Sequence, residues 1–127
     1  SRVNAGATAP EWATLLTLTA GSTATQSPFA VSTKTTQAHG LGATPSLIVD
    51  YIECLTGELG YTAGDRIAGG FGGASGNRGW EVEYDATNVN IITGGIASVI
   101  VNKTTPAGFV ALTEANWKIV AVPYKFT

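Results

Sequence analysis

Apolar and polar residues alternate with a period of two through much of this chain, and no long segment keeps the 3.6-residue period of an amphipathic helix. Runs of β-branched and aromatic residues, separated by Gly, Pro, Asn and Asp, predict strands at residues 12–19, 29–37, 46–55, 78–85, 89–93, 97–102 and 116–126. That spacing predicts an all-β chain, a small antiparallel β-sandwich or barrel. The best helical alternative is a single turn at 113–116, with Thr113 placed to cap it. Pro45 fits immediately before a strand, whereas Pro123 interrupts an apolar run and predicts an edge or a bulge there. Residues 1–26 read as an N-terminal arm or linker carrying the first strand, and 27–127 as one β-sandwich module, a single domain overall.

The alternation differs between strands. In 78–85, Trp80, Val82 and Tyr84 share one side, and Glu81, Glu83 and Asp85 the other, as expected for a strand with one wet face. In 47–55, Leu47, Val49, Tyr51 and Leu55 oppose Ile48, Ile52 and Cys54, so both sides are largely apolar. The run "IASVIV" at 96–101 is also apolar on both sides. A small antiparallel domain needs something to cover the second side, and a symmetric partner chain is the simplest cover. The pattern therefore predicts a homo-oligomer.

Composition narrows the function classes. The 127 residues suffice for one real core, and 44% hydrophobic content argues against disorder. Charged residues make up only 13%, about half the usual share. Gly, Ala, Thr, Ser and Asn fill the gap, a composition that suits an extracellular or virion part better than a cytosolic enzyme. The net charge is −2 and the seven basic residues are dispersed, so no track for nucleic-acid phosphates is expected. No apolar run approaches the roughly 20 residues of a membrane-spanning helix, and no segment reads as a signal peptide. A start at Ser1, with no methionine anywhere, fits a processed chain or a fragment. No spacing of Cys and His suggests a metal, and no cofactor is expected.

Candidate chemistry begins with the lone histidine and the lone cysteine, both within "AHGLGATPSLIVDYIECL". His39 precedes a Gly40-Leu41-Gly42 turn, and a rise of about 3.3 Å per residue carries Cys54 roughly 30 Å along the following strand. A Cys–His dyad is therefore not expected: Cys54 reads as a small buried hydrophobe and His39 as a hydrogen-bonded turn residue. The glycine-rich loop 68–80 lacks the GK[ST] ending of a phosphate loop, but Phe71, Asn77, Arg78 and Trp80 are candidates for a contact surface. Just ahead of it, "GYTAGDRI" offers Tyr61, Asp65 and Arg66, residue types that meet sugar hydroxyls but equally fix turns as ion pairs. Glu81, Glu83 and Asp85 are read as a solvated strand face rather than a glycosidase pair, since their spacing is that of any strand. No catalytic residue is expected.

The segment "AHGLGATPSLIVDYIECLTGELGYTAGDRI", with "YDATNVNI", "VNKT" and "LTEANWKIVAVPYKF", resembles a module of bacteriophage tail-fibre and related virion proteins. The likeness covers roughly residues 37 to 126. More distantly, the pattern resembles the H-type lectin domain. The resemblance implies a β-sandwich, a homotrimer, a virion location and a receptor-binding role against a host surface glycan or protein. The lectin family's carbohydrate-binding residues find no matching positions in this chain. The alternative is a structural head-fibre, decoration or assembly module that contacts only other virion proteins; a polysaccharide depolymerase is a third class.

Overall fold

The structure, a computed structural model, describes residues 17–68 and 76–126. Its strands, in chain order, are β1 (Leu18–Ala20), β2 (Ala24–Gln26), β3 (Lys34–Ala38), β4 (Leu47–Cys54), β5 (Arg66–Ala68), β6 (Trp80–Tyr84), β7 (Asn88–Thr93), β8 (Val99–Val101), β9 (Phe109–Ala111) and β10 (Trp117–Phe126). The chain is all-β and the ladders between named strands are antiparallel. One sheet runs β1-β10-β4-β5, with β2 on the same side of β10 as β1; a second runs β3-β7-β6; β8 and β9 form a hairpin. The expected fold class is met in this coarser form, a sandwich-like pair of antiparallel sheets.

The core lies between the sheets because each contributes one apolar side to it. From the larger sheet come Ala24, Ile52, Cys54, Trp117, Ile119 and Ala121, and from the smaller Trp80, Val89 and Ile91. Phe29, Ile100 and Leu112 close the ends. The long strands form where alternation is sustained: β4 and β10 pair over the whole length of β4, from Trp117 opposite Cys54 to Tyr124 opposite Leu47.

The sequence expectations are corrected in several places. Residues 12–16 of the first expected strand lie outside the described residues, and β1 keeps only its end. Within 18–26, β1 and β2 both pair with β10. The strand expected at 29–37 starts only at Lys34. The backbone before it is spent on a turn: Phe29 N–H donates to Trp117 O, Ala30 N–H to Gln26 Oε1, and Ser32, with φ of 50°, to Gly94 O. The strands β2, β5 and β9 were not anticipated, because three residues are too few to display a period. Glu114–Asn116 form a 3₁₀ turn, as the "TEAN" reading allowed, but Thr113 makes no side-chain cap.

Pro123 overturns the edge alternative, while the bulge alternative is met beside it, where the register with β10 slips by one residue between Ala20↔Tyr124 and Ala24↔Ala121. Pro123 sits within the central strand, opposite Ile48 on β4. Its carbonyl accepts from Gly21 N–H on the other side, so the missing N–H of Pro123 points there too. That is where the neighbouring ladder is broken between β1 and β2, and no strand donor is required. The 96–101 run is corrected as well. Val99 and Ile100 point to opposite sides, yet both are buried by the chain itself, so no partner is needed to cover this strand.

Candidate functional site

The expected site residues separate into two groups. Tyr61, Asp65 and Arg66 occupy the turn leading into β5. Tyr61 donates its hydroxyl to Val101 O at 2.7 Å and stands edge-on to Trp117, with ring centroids 5.4 Å apart. Asp65 accepts from Thr62 N–H at 3.0 Å and from Lys103 Nζ at 2.9 Å, and these two bonds hold its carboxyl below the ordinary range. The same pairing pushes the Lys103 ammonium up. Arg66 donates to Glu53 at 2.8 Å and lies over the Tyr51 ring, 4.5 Å from its centre. The three residues are near in sequence but turn to different partners: Tyr61 to Val101 and Trp117, Asp65 to Lys103, and Arg66 to Glu53 and Tyr51. The partners that use them, Lys103, Glu53 and Val101, are remote in sequence and were not anticipated.

Asn77, Arg78 and Trp80 follow the part of the glycine-rich loop, 69–75, that lies outside the described residues, as does Phe71. They run beside 94–97. Gly94 N–H donates to Gly79 O, Ile96 N–H donates to Asn77 O, and Arg78 Nη1 donates to Ala97 O at 2.8 Å. Gly94 must be glycine for this approach, since a Cβ there would collide with the Asn77 carbonyl. Arg78 is thus a clamp on a neighbouring carbonyl. Trp80 belongs to the core on the inner side of β6, and its indole N–H has no acceptor. That nitrogen is also closed to solvent, so a ligand does not reach it in this conformation.

Beside these residues lies a shallow cavity of about 330 Å³ at the end of the smaller sheet. Its wall includes Asn77, Arg78, Glu81, Ile92 and Gly94. Glu81 and Ile92 are cross-strand neighbours on the outward side, so a carboxylate and an aliphatic patch lie together. Asn77 and Glu81 are exposed. An amide and a carboxylate over an apolar floor can hydrogen-bond hydroxyls and seat a small hydrophobic group. Glu81 and Ile92 were missed as site residues, Glu81 because its row read as solvated, and Ile92 because the strand expected at 89–93 carried no site reading.

The other carboxylates of that row have structural employment. Glu83 accepts from Asn90, which in turn accepts from Thr36 Oγ1. Asp85 leaves the strand and accepts from Asn88 and Thr87 N–H at 2.7 and 2.8 Å, which hold its carboxyl low. Among the described residues, no group of three or more His, Cys, Asp or Glu could hold a metal. No helix is long and apolar enough to cross a membrane, among the same residues.

His39 and Cys54 are architectural. His39 is buried, accepts from Leu41 N–H at Nδ1 and donates from Nε2 to Asp85 O, so both ring nitrogens are committed. Cys54 is 1% exposed, and burial pushes its thiol up, away from the reactive thiolate. Its Sγ donates to Thr56 O at 3.2 Å. No family model, no curated protein and no solved structure matches the chain.

Proposed function

We propose that this chain is a non-catalytic module of a phage virion, the receptor-binding tip of a tail fibre, acting as a homotrimer that attaches to a host surface glycan or protein. The observation that carries the binding part is the cavity at the end of β6 and β7. There the exposed Asn77 and Glu81 stand beside Ile92, all on backbone fixed by the Arg78–Ala97 and Gly94–Gly79 bonds. Rigid strands that present an irregular polar rim are the usual arrangement for recognition. Each site is shallow, so attachment draws on several weak sites acting together on one particle. Tyr61, Asp65 and Arg66 then serve as the frame of a turn rather than as ligand contacts.

A structural role as a head-fibre, decoration or assembly module is the second reading. It is favoured by the apolar outward side of the larger sheet, where Leu47, Val49 and Phe126 are exposed. The experiment that separates the two is adsorption to host cells by the wild type and by Asn77→Ala/Glu81→Ala, with a glycan array in parallel. The double variant should lose adsorption at least tenfold and keep its melting temperature, since exposed substitutions shift stability by no more than about 0.5 kcal/mol. Normal adsorption by the variant moves the site elsewhere. Capture of virion proteins alone, with no cell or glycan retained, establishes the structural role, and release of reducing ends from capsule establishes a depolymerase.

A further inference from the structure

In the smaller sheet β6 is an edge strand, with β7 on one side and no strand on the other. The hydrogen bonds at its two ends, Gly94 N–H to Gly79 O and Asp85 N–H to Asn88 O, fix which way each residue points. Glu81 and Glu83 spend their backbone groups on Ile92 and Asn90 of β7. Trp80, Val82 and Tyr84 therefore turn N–H and C=O away from β7, and no hydrogen bond joins those groups to another described residue. The five residues keep an unbroken register with β7, with neither a proline nor a bulge to blunt the free edge. The opposite edge of the sheet, β3, differs: it exposes Lys34, the usual guard of a free edge.

We propose that the β6 edge takes an extended segment of a different protein as an added strand, one with lysine or arginine at every second position and apolar residues between them. Unpaired N–H and C=O groups in a row match another extended backbone, which supplies the main-chain half of the contact. The side chains of β6 set the rest. Residues of the added strand that bond to Val82 and Tyr84 lie on the inner side, beside the partly buried Val82 and the exposed Tyr84, and are therefore apolar. The residues between them come opposite Glu81 and Glu83, at the closer spacing of about 4.5 Å between Cα atoms. Opposite charge stabilises such a pair and like charge destabilises it.

Charge also selects an unlike partner over a second copy. A two-fold axis normal to the sheet brings β6 of another copy alongside in antiparallel pairing. The register that pairs the whole strand, centred on Val82, then sets each glutamate opposite a glutamate. Within the chain these carboxylates have no cation: the ion pairs among the described residues are Arg66–Glu53, Lys103–Asp65 and Lys118–Glu53. Glu83 meets the neutral amide of Asn90 instead. Lys34 stands on β3, with β7 between it and β6. A basic strand is thus the complement that the outer side of β6 lacks.

The contact runs along Val82, Glu83 and Tyr84, beyond the cavity, and shares Glu81 with it, so it stands whether or not the cavity binds a ligand. The probe is a short capped peptide of alternating valine and lysine, with a valine–glutamate peptide as its counterpart. Both are titrated at low salt and followed by amide NMR of the protein. The valine–lysine peptide should bind saturably and protect the Val82 and Tyr84 amides from exchange, while Glu81 and Glu83, already bonded to β7, change little. N-methylation of its valines, whose N–H groups face β6, should weaken binding about tenfold, and N-methylation of its lysines should leave it within about twofold. The variant Glu81→Lys/Glu83→Lys, with folding established by circular dichroism, should prefer the valine–glutamate peptide. If that variant does not fold, the methylated peptides decide. The proposal is overturned by no saturable binding, by equal binding of the two peptides to the wild type, by indifference to methylation of the valines, or by protection at another strand.

Discussion

The larger sheet turns Leu47, Val49, Tyr51, Val122 and Tyr124 outward, while the smaller sheet turns Lys34, Thr36, Asn90, Glu81 and Glu83 outward. Their inner sides are alike, and both feed one apolar core. The smaller sheet completes its outer side by itself: Thr36 Oγ1 donates to Asn90 Oδ1 at 2.7 Å, Asn90 passes a bond on to Glu83, and Asn90 is left only 4% exposed. The larger sheet has nothing comparable until the ion pairs at Glu53. An inner side reports only that a core exists. The outer sides differ in chemistry: a hydrogen-bonded polar row on the smaller sheet, and exposed Leu18, Leu47, Val49 and Phe126 on the larger.

The largest effect that sharpens this contrast comes from truncating the same kind of position on each side. Asn90→Ala removes a buried amide that bonds Thr36 and Glu83, whose own groups can turn to water, and should cost about 1 kcal/mol in urea unfolding. Val49→Ala, in chains dilute enough to be single, should stay within about 0.5 kcal/mol. A Val49→Ala loss as large as that of Asn90→Ala in single chains would break the comparison, because the apolar side would then be covered from within the chain.

A comparable effect is expected at Cys54, on the inner side behind the apolar face. A thiol reagent should label Cys54 slowly in the folded protein and fast in denaturant, and Cys54→Ala should cost about 1 kcal/mol with adsorption unchanged. Rapid labelling of folded protein would mean that the larger sheet opens as a unit.

The smallest effect is the pH dependence of the rim. The hydrogen bond from Arg66 does most to hold the Glu53 carboxyl below the ordinary range; burial opposes it, and Lys118 adds to the lowering. A lowered folded-state value gives stability that is present above the unfolded value and is lost as pH falls through the folded one. Glu53→Gln should therefore be less stable than the wild type near neutrality, and the gap should close in acid. A gap that widened in acid would show that the pairing is not what holds Glu53.

Much of this was legible along the chain. Strands β4, β6, β7 and β10 have five or more residues and were found because alternation needs about that length to show. The strands β2, β5 and β9 are fixed by what they pair with, β10, β4 and β8, and carry no period of their own. The architectural roles of His39 and Cys54 were also readable, from a glycine turn and from the side of the strand that Cys54 shares with Ile52. The Tyr61–Asp65–Arg66 turn was located, but not its employment, because Lys103 reaches Asp65 from 38 residues away.

The sequence by itself determined the β class, the sides of the long strands and the two-sided apolar character of 47–55, because a period of two is a local property of the backbone. Only the tertiary structure decided which apolar sides are spent inside the chain. Val99 and Ile100 find cover within it, whereas Leu47 and Val49 remain open. It also decided that Pro123 belongs in a central strand, where a break between β1 and β2 removes the need for its missing N–H, and that Glu81 and Ile92 line a cavity with Asn77. Those outcomes depend on which distant segments come into register, and a chain's local pattern states what each segment needs without stating which other segment supplies it.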